Sequence, residues 1–425
     1  MVQANAIGPI LWSSILGTAV EWYDFLIYAV ATSLVFNKLF FPAADPALSN
    51  IVSFGTYGVG FMARPLGAAI FGHLGDRVGR KATLATTIVI MGAGTCVIGL
   101  LPTYGQIGIL APVLLVALRF LQGIGLGGEW GGSVLMVVEN ASQKRRGMLG
   151  AMVQLGNPIG NLAAIGMFAL VGQIPDAEFL QWGWRIPFLV SVPLVGVGLY
   201  IRLKLQETPA FRRLEATNQV ARLPIADVFT RYRRPFLIAV CLKVSEIAWA
   251  SIPGVFVIAY ATGKLGLPRS SVLNALLLAS FAALFTIPLY GWLSDQIGRR
   301  PMFLGSCLFS VLFAFPMFWL LDTKDITWVT LAIVIGINGG QMVGFSVGAP
   351  WYSELFPTRL RYSGASLGYQ LSSLIAGGPA PLIASSLLSH YRSATPIAFF
   401  ILVCAMITLI ATAMLRDNTN KDISG

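Results

Sequence analysis

The chain has 425 residues, of which 56% are hydrophobic and only 11% are charged. Soluble domains carry about 25% charged residues, so this composition excludes an ordinary soluble fold. Several uncharged runs exceed the roughly 20 apolar residues that a membrane-spanning helix needs. They are apolar on all sides, whereas the strands of a transmembrane barrel alternate between apolar and polar residues. The sequence therefore predicts an all-α polytopic membrane protein.

Twelve candidate spans follow when the chain is cut at charged clusters and turn residues. They are 7–36, 51–75, 82–101, 107–138, 148–172, 184–203, 235–262, 270–294, 301–321, 326–353, 362–388 and 394–415. This pattern predicts two six-helix halves, 1–203 and 235–415, with a central cytoplasmic loop, 204–234, and a short cytoplasmic tail, 416–425.

The net charge of +11 has a topological interpretation. With a cytoplasmic N-terminus, 20 of the 29 Lys and Arg residues fall on the cytoplasmic side, six fall outside, and Arg64, Arg119 and Lys243 fall within spans. This asymmetry satisfies the positive-inside rule and places both termini in the cytoplasm. The basic excess thus indicates membrane insertion and contact with anionic lipids, not nucleic-acid binding. We expect a multi-pass protein of the plasma membrane, or of the inner membrane in a bacterium.

The sequence also repeats itself. Residues 72–81 read GHLGDRVGRK after the second span, and residues 291–300 read GWLSDQIGRR after the eighth. Duplicated halves are typical of secondary transporters. Acids, arginines and glycines in such motifs can latch helices together in one access state, since charge-assisted hydrogen bonds are strong. The predicted cytoplasmic gate comprises Gly72, Asp76, Arg77, Arg80, Glu139, Arg145, Asp295, Arg299, Glu354 and Arg361.

The repeated motif resembles the signature G-x-x-x-D-[RK]-x-G-[RK]-[RK] of the major facilitator superfamily. Further segments resemble its metabolite:proton symporter family, and the shikimate-permease-like branch is the most similar; these segments are 21–25, 64–67, 127–132, 183–188 and 354–359. That family includes shikimate, α-ketoglutarate, citrate and proline/betaine permeases. The resemblance implies the major facilitator fold and proton-coupled uptake of a small organic anion by alternating access.

Ionisable residues inside spans are costly and are therefore functional candidates. A proton carrier requires a desolvated carboxylate near a cation whose movement can switch its protonation. We expect Asp24 to carry the proton and Arg119 to control it, assisted by Glu21 or Glu129. The resemblance agrees, because an R-x-x-Q-G setting, here residues 119–123, is associated with proton coupling in the superfamily. The alternative is that such charges merely neutralise one another as structural ion pairs.

Cationic and amide side chains in the spans offer partners for a carboxylate substrate. The predicted substrate site comprises Tyr28, Arg64, Arg119, Gln122, Asn157, Lys243, Glu246, Trp249, Gln341 and Gln370. The same groups could hold a zwitterion if Glu246 or Glu129 faces its ammonium group, and Trp249 could equally be a packing residue.

Other function classes fit less well. The chain has only two histidines, His73 and His390, and no cluster typical of a metal site or of a nucleophile with its base, so an enzyme is disfavoured. An uncoupled facilitator stays open, since only the buried carboxylates argue for coupling. We expect no cofactor other than the coupled proton. A monomer suffices, because a chain of two halves contains its own pathway.

Overall fold

The computed structural model describes residues 7–42, 46–417 and 419, with the side chains of 33, 46–54 and 57 left aside. Residues 1–6, 418 and 420–425, which include the predicted N-terminus and most of the predicted tail, lie outside the described residues. The long helical segments are α1 (Ile7–Leu39), α2 (Pro46–Arg77), α3 (Arg80–Leu100), α4 (Leu110–Val138), α5 (Arg146–Met152, Val153–Leu155 and Gly156–Val171), α6 (Gly183–Lys204), α7 (Arg233–Lys264), α8 (Arg269–Ile297), α9 (Arg299–Asp322), α10 (Ile326–Glu354), α11 (Thr358–Tyr391) and α12 (Thr395–Ala413).

The predicted all-helical membrane fold is confirmed. No β-strand occurs in the described part of the chain, and ten of its helical segments, all but α2 and α5, are long and apolar enough to cross a membrane. Large apolar side chains such as Phe285 and Leu312 are exposed, whereas Asp24, Arg119 and Glu129 are buried. Apolar side chains outside and ionisable ones inside suit a protein whose solvent is lipid.

The helices pack in two sets. In the first, α2 lies against α4, α1 against α5, and α3 against α4 and α6; in the second, α12 lies against α7 and α9, and α8 against α10. The sets meet where α2 contacts α11 and where α5 contacts α8 and α10. We call the end of the bundle at which α2 turns into α3, and α8 into α9, the motif end.

Helix α7 is interrupted at Lys243, between the regular stretches Arg233–Leu242 and Val244–Ser251. The Ser245 backbone N–H finds a partner in the Thr408 hydroxyl of α12, 3.0 Å away, as a buried backbone donor requires. Wide π-helical turns also interrupt the second set, at Ile252–Phe256, Gly336–Gln341 and Ser373–Gly377. Such turns re-aim side chains and are frequent at functional sites.

The predicted central loop contains two short helices, Pro209–Ala216 and Pro224–Thr230. Phe211 and Val228 are buried, and the Arg80 guanidinium lies 5.0 Å from the centre of the Phe211 ring. This segment therefore packs onto the motif end instead of running free in solvent.

Candidate functional site

A chain of hydrogen bonds joins Asp24 of α1 to Arg119 of α4. The Arg119 guanidinium donates to Gln122 Oε1 (3.3 Å), and the Gln122 amide donates to Thr95 Oγ1 of α3 (2.6 Å). The Thr95 hydroxyl in turn donates to Asp24 Oδ2 (2.7 Å). All four side chains are buried. The structure thus brings the two predicted coupling residues into one network, through two neutral residues.

Thr95 is the member of this network that sequence reasoning missed. Its hydroxyl also lies 3.0 Å from the Met91 carbonyl oxygen. A hydroxyl has one hydrogen and two acceptor lone pairs, so Asp24 and Met91 compete for that hydrogen. The signal in the sequence is a stripe, Thr83, Thr87 and Thr95, at multiples of four residues along one face of α3.

Aromatic rings flank Arg119 and fix its position. Its guanidinium lies 4.1 Å from the centre of the Tyr28 ring and 5.3 Å from that of Phe25, within the range of cation–π attraction. The Tyr28 hydroxyl is itself hydrogen-bonded to Thr56, 2.7 Å away. Tyr28, predicted as a substrate residue, therefore lies beside the coupling network, and its hydroxyl already has a protein partner.

Glu129, predicted to assist coupling, forms a two-pronged ion pair with Arg202. Its oxygens also accept hydrogen bonds from the hydroxyls of Thr87 and Ser133, both 2.8 Å. Arg202, which the count by side included among the cytoplasmic basic residues, lies in the last turn of α6. Arg202 is only 3% exposed, and its charge can be buried because Glu129 compensates it. Glu21 is buried nearby, with Oε2 lacking a hydrogen-bond partner among the described residues.

A second polar centre lies between the two helix sets. From α7, the Lys243 ammonium donates to both Glu246 oxygens (2.7 and 2.8 Å) and lies 3.5 Å from the centre of the Tyr369 ring. From α2, the Arg64 guanidinium lies 4.2 Å from the centre of the Phe61 ring. Arg64 is close enough to act electrostatically on Lys243 and Tyr369. Cations from opposite sets therefore converge on one aromatic-lined region.

The other predicted substrate residues differ in burial and in their hydrogen-bond partners. Asn157 and Gln370 are buried and Gln341 is half-buried, with Gln370 Oε1 lacking a hydrogen-bond partner among the described residues. The Trp249 ring is fully buried, and its indole N–H donates to Ser310 (2.8 Å). This arrangement favours the packing alternative for Trp249. One contact between the sets was not predicted: the Gln154 amide donates to the Phe345 carbonyl oxygen (3.1 Å).

At the motif end, Asp76 of α2 caps a helix of the other set. Its carboxylate accepts hydrogen bonds from the backbone N–H groups of Tyr362 (3.1 Å) and Ser363 (2.8 Å). These are unsatisfied donors in the first turn of the helix Arg361–Ser372, where the helix dipole favours an anion. Gly72 permits this approach, since a Cβ there would lie 2.8 Å from Ser363 Cα.

Buried ion pairs surround this cap. Arg80 donates to the Thr358 carbonyl oxygen (2.8 Å) and pairs with Asp76 (3.3 Å) and Glu139 (3.5 Å), while Arg361 donates to Glu139 (3.0 Å). Burial alone would raise the pKa of Glu139, but Arg80 and Arg361 outweigh it and hold the pKa below its usual range. We call the residues Asp76, Arg80, Glu139 and Arg361 the first latch.

The second copy of the motif builds a matching second latch, made of Asp295, Arg299 and Glu354. Asp295 of α8 accepts hydrogen bonds from the backbone N–H groups of Gly147 (2.8 Å) and Met148 (2.9 Å), at the start of Arg146–Met152 in the first set. Arg299 pairs with Asp295 (2.9 Å) and Glu354 (3.5 Å). Each set thus caps a helix of the other.

Two predicted gate residues lie apart from the latches. Arg77 and Arg145 are exposed, whereas the neighbouring Arg146 is buried and acts electrostatically on Glu354. The repeat aligns Arg146 with Arg361, both seven residues after an acid, so Arg146 is the counterpart in the second latch.

Known proteins are similar to this chain in sequence or in fold. The profile of the Major Facilitator Superfamily matches residues 26–381. The chain is 38% identical to the shikimate transporter of Escherichia coli (strain K12), with 95% of this chain and 93% of that protein covered. It is also 38% identical to the inner membrane metabolite transport protein YhjE of that strain, with 99% and 96% covered. The solved structure of the proton:xylose symporter XylE bound to 6-bromo-6-deoxy-D-glucose shares the fold, with a TM-score of 0.81, 16% identity and 98% of each chain covered.

These matches confirm the predicted family resemblance and the multi-pass membrane location, and they agree that the protein transports and is not an enzyme. The chain belongs to the Major Facilitator Superfamily.

Proposed function

We propose that the protein is a proton-coupled symporter that takes up a small organic anion by alternating access. In this proposal α2 and α5 complete twelve spans, and the halves 1–203 and 235–415 move relative to each other. The motif end is cytoplasmic, as are both termini, the linking segment 204–234 and the tail 416–425. Exposed arginines at the motif end, such as Arg77 and Arg145, support this orientation through the positive-inside rule.

The observation that carries the proposal is the hydrogen-bond network of Asp24. In the ionised state, the Thr95 hydroxyl donates to Asp24 while accepting from the Gln122 amide. In the protonated state, the Asp24 carboxyl group donates to the free lone pair of Thr95, whose own hydrogen turns to the Met91 carbonyl oxygen. Asp24 Oδ2 thereby keeps its hydrogen bond to Thr95 in both charge states without moving a heavy atom, as a reversible proton carrier requires, whereas Oδ1 has no hydrogen-bond partner among the described residues.

In this proposal Arg119 controls the protonation of Asp24. A buried carboxylate is stabilised in its ionised form by a nearby cation and in its protonated form by desolvation when the cation withdraws. Gln122 links Arg119 to Thr95, so a substrate that draws Arg119 away also disturbs the partner of Asp24. Substrate binding and proton binding are then linked through one set of side chains.

The substrate in this proposal is an anion with hydroxyl groups. Arg64 and Lys243 offer cationic groups from opposite helix sets, although Lys243 is paired with Glu246, and Phe61, Phe345 and Tyr369 supply ring faces. Shikimate, a cyclic hydroxylated carboxylate, is the first compound to test, because a shikimate transporter is a relative over nearly the whole chain. Release of the anion at the motif end requires the latches to open; because both latches are formed, we interpret the structure in this proposal as a state shut at that end.

Transport by the purified full-length chain in proteoliposomes tests the proposal. We expect radiolabelled shikimate to accumulate when the outside is made acidic and a protonophore to abolish that accumulation. Asp24→Asn should lose gradient-driven accumulation yet keep exchange of internal for external substrate, which needs no net proton movement. Glu178→Gln removes an exposed carboxylate and should behave like the parent protein.

Three outcomes would contradict parts of this proposal. Substrate entry that ignores the pH gradient would indicate an uncoupled facilitator. Uptake of a zwitterion such as betaine, with no uptake of hydroxy acids, would overturn the substrate class. An Asp24→Asn protein that still accumulates substrate, with only KM altered, would remove the proton-carrier role from Asp24.

A further inference from the structure

We propose that a groove between α7 and α12 binds one anionic phospholipid, with Arg233 and Arg234 holding its phosphate and the groove holding an acyl chain. The inference is independent of the transported substrate and of proton coupling. It concerns the outer surface of the bundle, away from the polar interior.

The groove has a volume of about 480 Å³, and its walls are almost entirely apolar. They are formed by Leu237, Ile238, Cys241, Ile407, Ile410, Ala411 and Met414. Leu237, Ile410 and Met414 are each about half exposed. From Arg233 to Cys241 the helix rises about 12 Å, at 1.5 Å per residue, so the groove runs from the motif end into the hydrocarbon layer.

The two arginines stand at the mouth of this groove. Both are exposed, and within the described residues neither guanidinium has a hydrogen-bond or ion-pair partner. The nearest acid along the chain, Asp227, pairs with Arg231 instead (3.6 Å). Guanidinium groups bind phosphate oxygens in a two-pronged geometry, and basic clusters at the ends of transmembrane helices attract anionic headgroups.

The occupant is a lipid and not a peptide because of where the groove lies. Both walls are spans, so an extended peptide there would bring unsatisfied backbone groups into the hydrocarbon layer. A chain with one anionic end and a long apolar tail matches the polarity of the groove from mouth to floor.

The site adjoins the interruption in α7 that positions Lys243. Beside the groove, the Thr408 hydroxyl of α12 donates to the Cys241 carbonyl oxygen (3.0 Å) and accepts from the Ser245 N–H (3.0 Å). A lipid that bridges α7 and α12 therefore also stabilises this pair of contacts.

Native mass spectrometry of the full chain, released from zwitterionic detergent with added phosphatidylglycerol or phosphatidylcholine, tests the site. We expect the parent protein to retain one phosphatidylglycerol in preference to phosphatidylcholine. The double variant Arg233→Gln/Arg234→Gln should weaken that retention by roughly tenfold or more, because each basic residue near the surface contributes on the order of 1 kcal/mol. Arg213→Gln/Arg222→Gln removes the same charge from exposed positions in the linking segment and should retain the lipid.

A second variant separates the groove from its charged mouth. Ile410→Trp fills the groove and leaves both arginines in place, so it should also lose the retained lipid, with an unchanged thermal unfolding midpoint in detergent as the folding control. Equal retention by the parent and the Arg233/Arg234 double variant would overturn the headgroup site. Full lipid retention by Ile410→Trp would overturn the acyl-chain site. Equal loss of the lipid in the Arg213/Arg222 variant would show that general surface charge, and not a headgroup site, holds the lipid.

Discussion

Asp76 and Ser363 are joined across the two helix sets by a hydrogen bond of 2.8 Å from the Ser363 backbone N–H to Asp76 Oδ2. The same carboxylate accepts from Tyr362, so one side chain of α2 caps a helix in the opposite set. Asp295 does the same in the reverse direction at Gly147 and Met148. In the proposed alternating-access cycle both contacts break when the motif end opens, so we propose that they control the access equilibrium.

Replacing either cap acid should open the motif end. Asp76→Asn and Asp295→Asn remove charge-assisted hydrogen bonds from the closed state only, so each should shift the equilibrium toward the open state by about tenfold or more. Spin labels at Lys144 and Ile297, both exposed on opposite sides of the second latch, report the change as a longer distance. The labels require a background with the four native cysteines replaced.

Asp325→Asn is the matched control for these variants. Asp325 caps its own helix, Ile326–Ile335, within one set, so the same chemical change should leave the distance unaltered. An unchanged distance in both latch variants, with substrate binding lost, would contradict the gate and would point to a direct role in binding.

The contribution of Glu139 to the closed state should persist in mild acid. Its pKa is held below the ordinary carboxylate range by Arg80 and Arg361, which outweigh burial. A lowered pKa in the closed state means that this stabilisation is complete above the ordinary carboxylate value of about 4.3 and is lost only as the pH falls through the lowered one.

The measurement is the label distance of the parent protein and of Glu139→Gln as a function of pH. We expect the difference between the two proteins to be constant from pH 7 to pH 5 and to shrink only at lower pH. A difference that disappears near pH 6 would show that Glu139 is not the ionised centre of the first latch.

Thr95 should prove essential for coupling though it carries no charge. Thr95→Val keeps the shape but removes the hydroxyl, leaving Asp24 Oδ2 and the Gln122 amide unpaired, and an unpaired buried group costs about 1–3 kcal/mol. We expect gradient-driven uptake to fall at least tenfold while substrate exchange survives, and Thr95→Ser to restore uptake. Equal loss of uptake and exchange in Thr95→Val, without rescue by Ser, would indicate a structural role only.

We expect the Glu129–Arg202 pair to contribute to stability and not to proton coupling, in contrast to Asp24. Removing one partner, as in Arg202→Leu, leaves a buried unpaired charge and should lower stability by about 3–5 kcal/mol. The double variant Glu129→Gln/Arg202→Leu removes both charges and should recover most of the thermal unfolding midpoint and retain proton-driven uptake. Recovered stability with lost uptake would instead restore Glu129 to the coupling role predicted from the sequence.

The fold class and the contacts of the repeated motif could be predicted from the amino-acid sequence. The long apolar runs predicted an all-helical membrane protein, and the repeated GHLGDRVGRK motif predicted paired latches. Such features are local, since span length and charge clustering depend only on neighbouring residues. The sequence also predicted that Asp24 and Arg119 face the interior, because an ionisable residue in a span must avoid lipid.

Which buried side chains pair with each other could not be predicted from the sequence, because the pairing depends on which helices lie side by side. Nothing in the sequence indicated that Arg202, at the end of the sixth span, pairs with Glu129 of the fourth. Arg145 and Arg146 are adjacent in sequence, and only the fold decides that Arg146 is the buried one. Thr95 joined the site because three helices bring Asp24, Gln122 and its hydroxyl within hydrogen-bond distance. The sequence by itself determined which residues are too costly to bury alone, and the tertiary structure decided which neighbours compensate them.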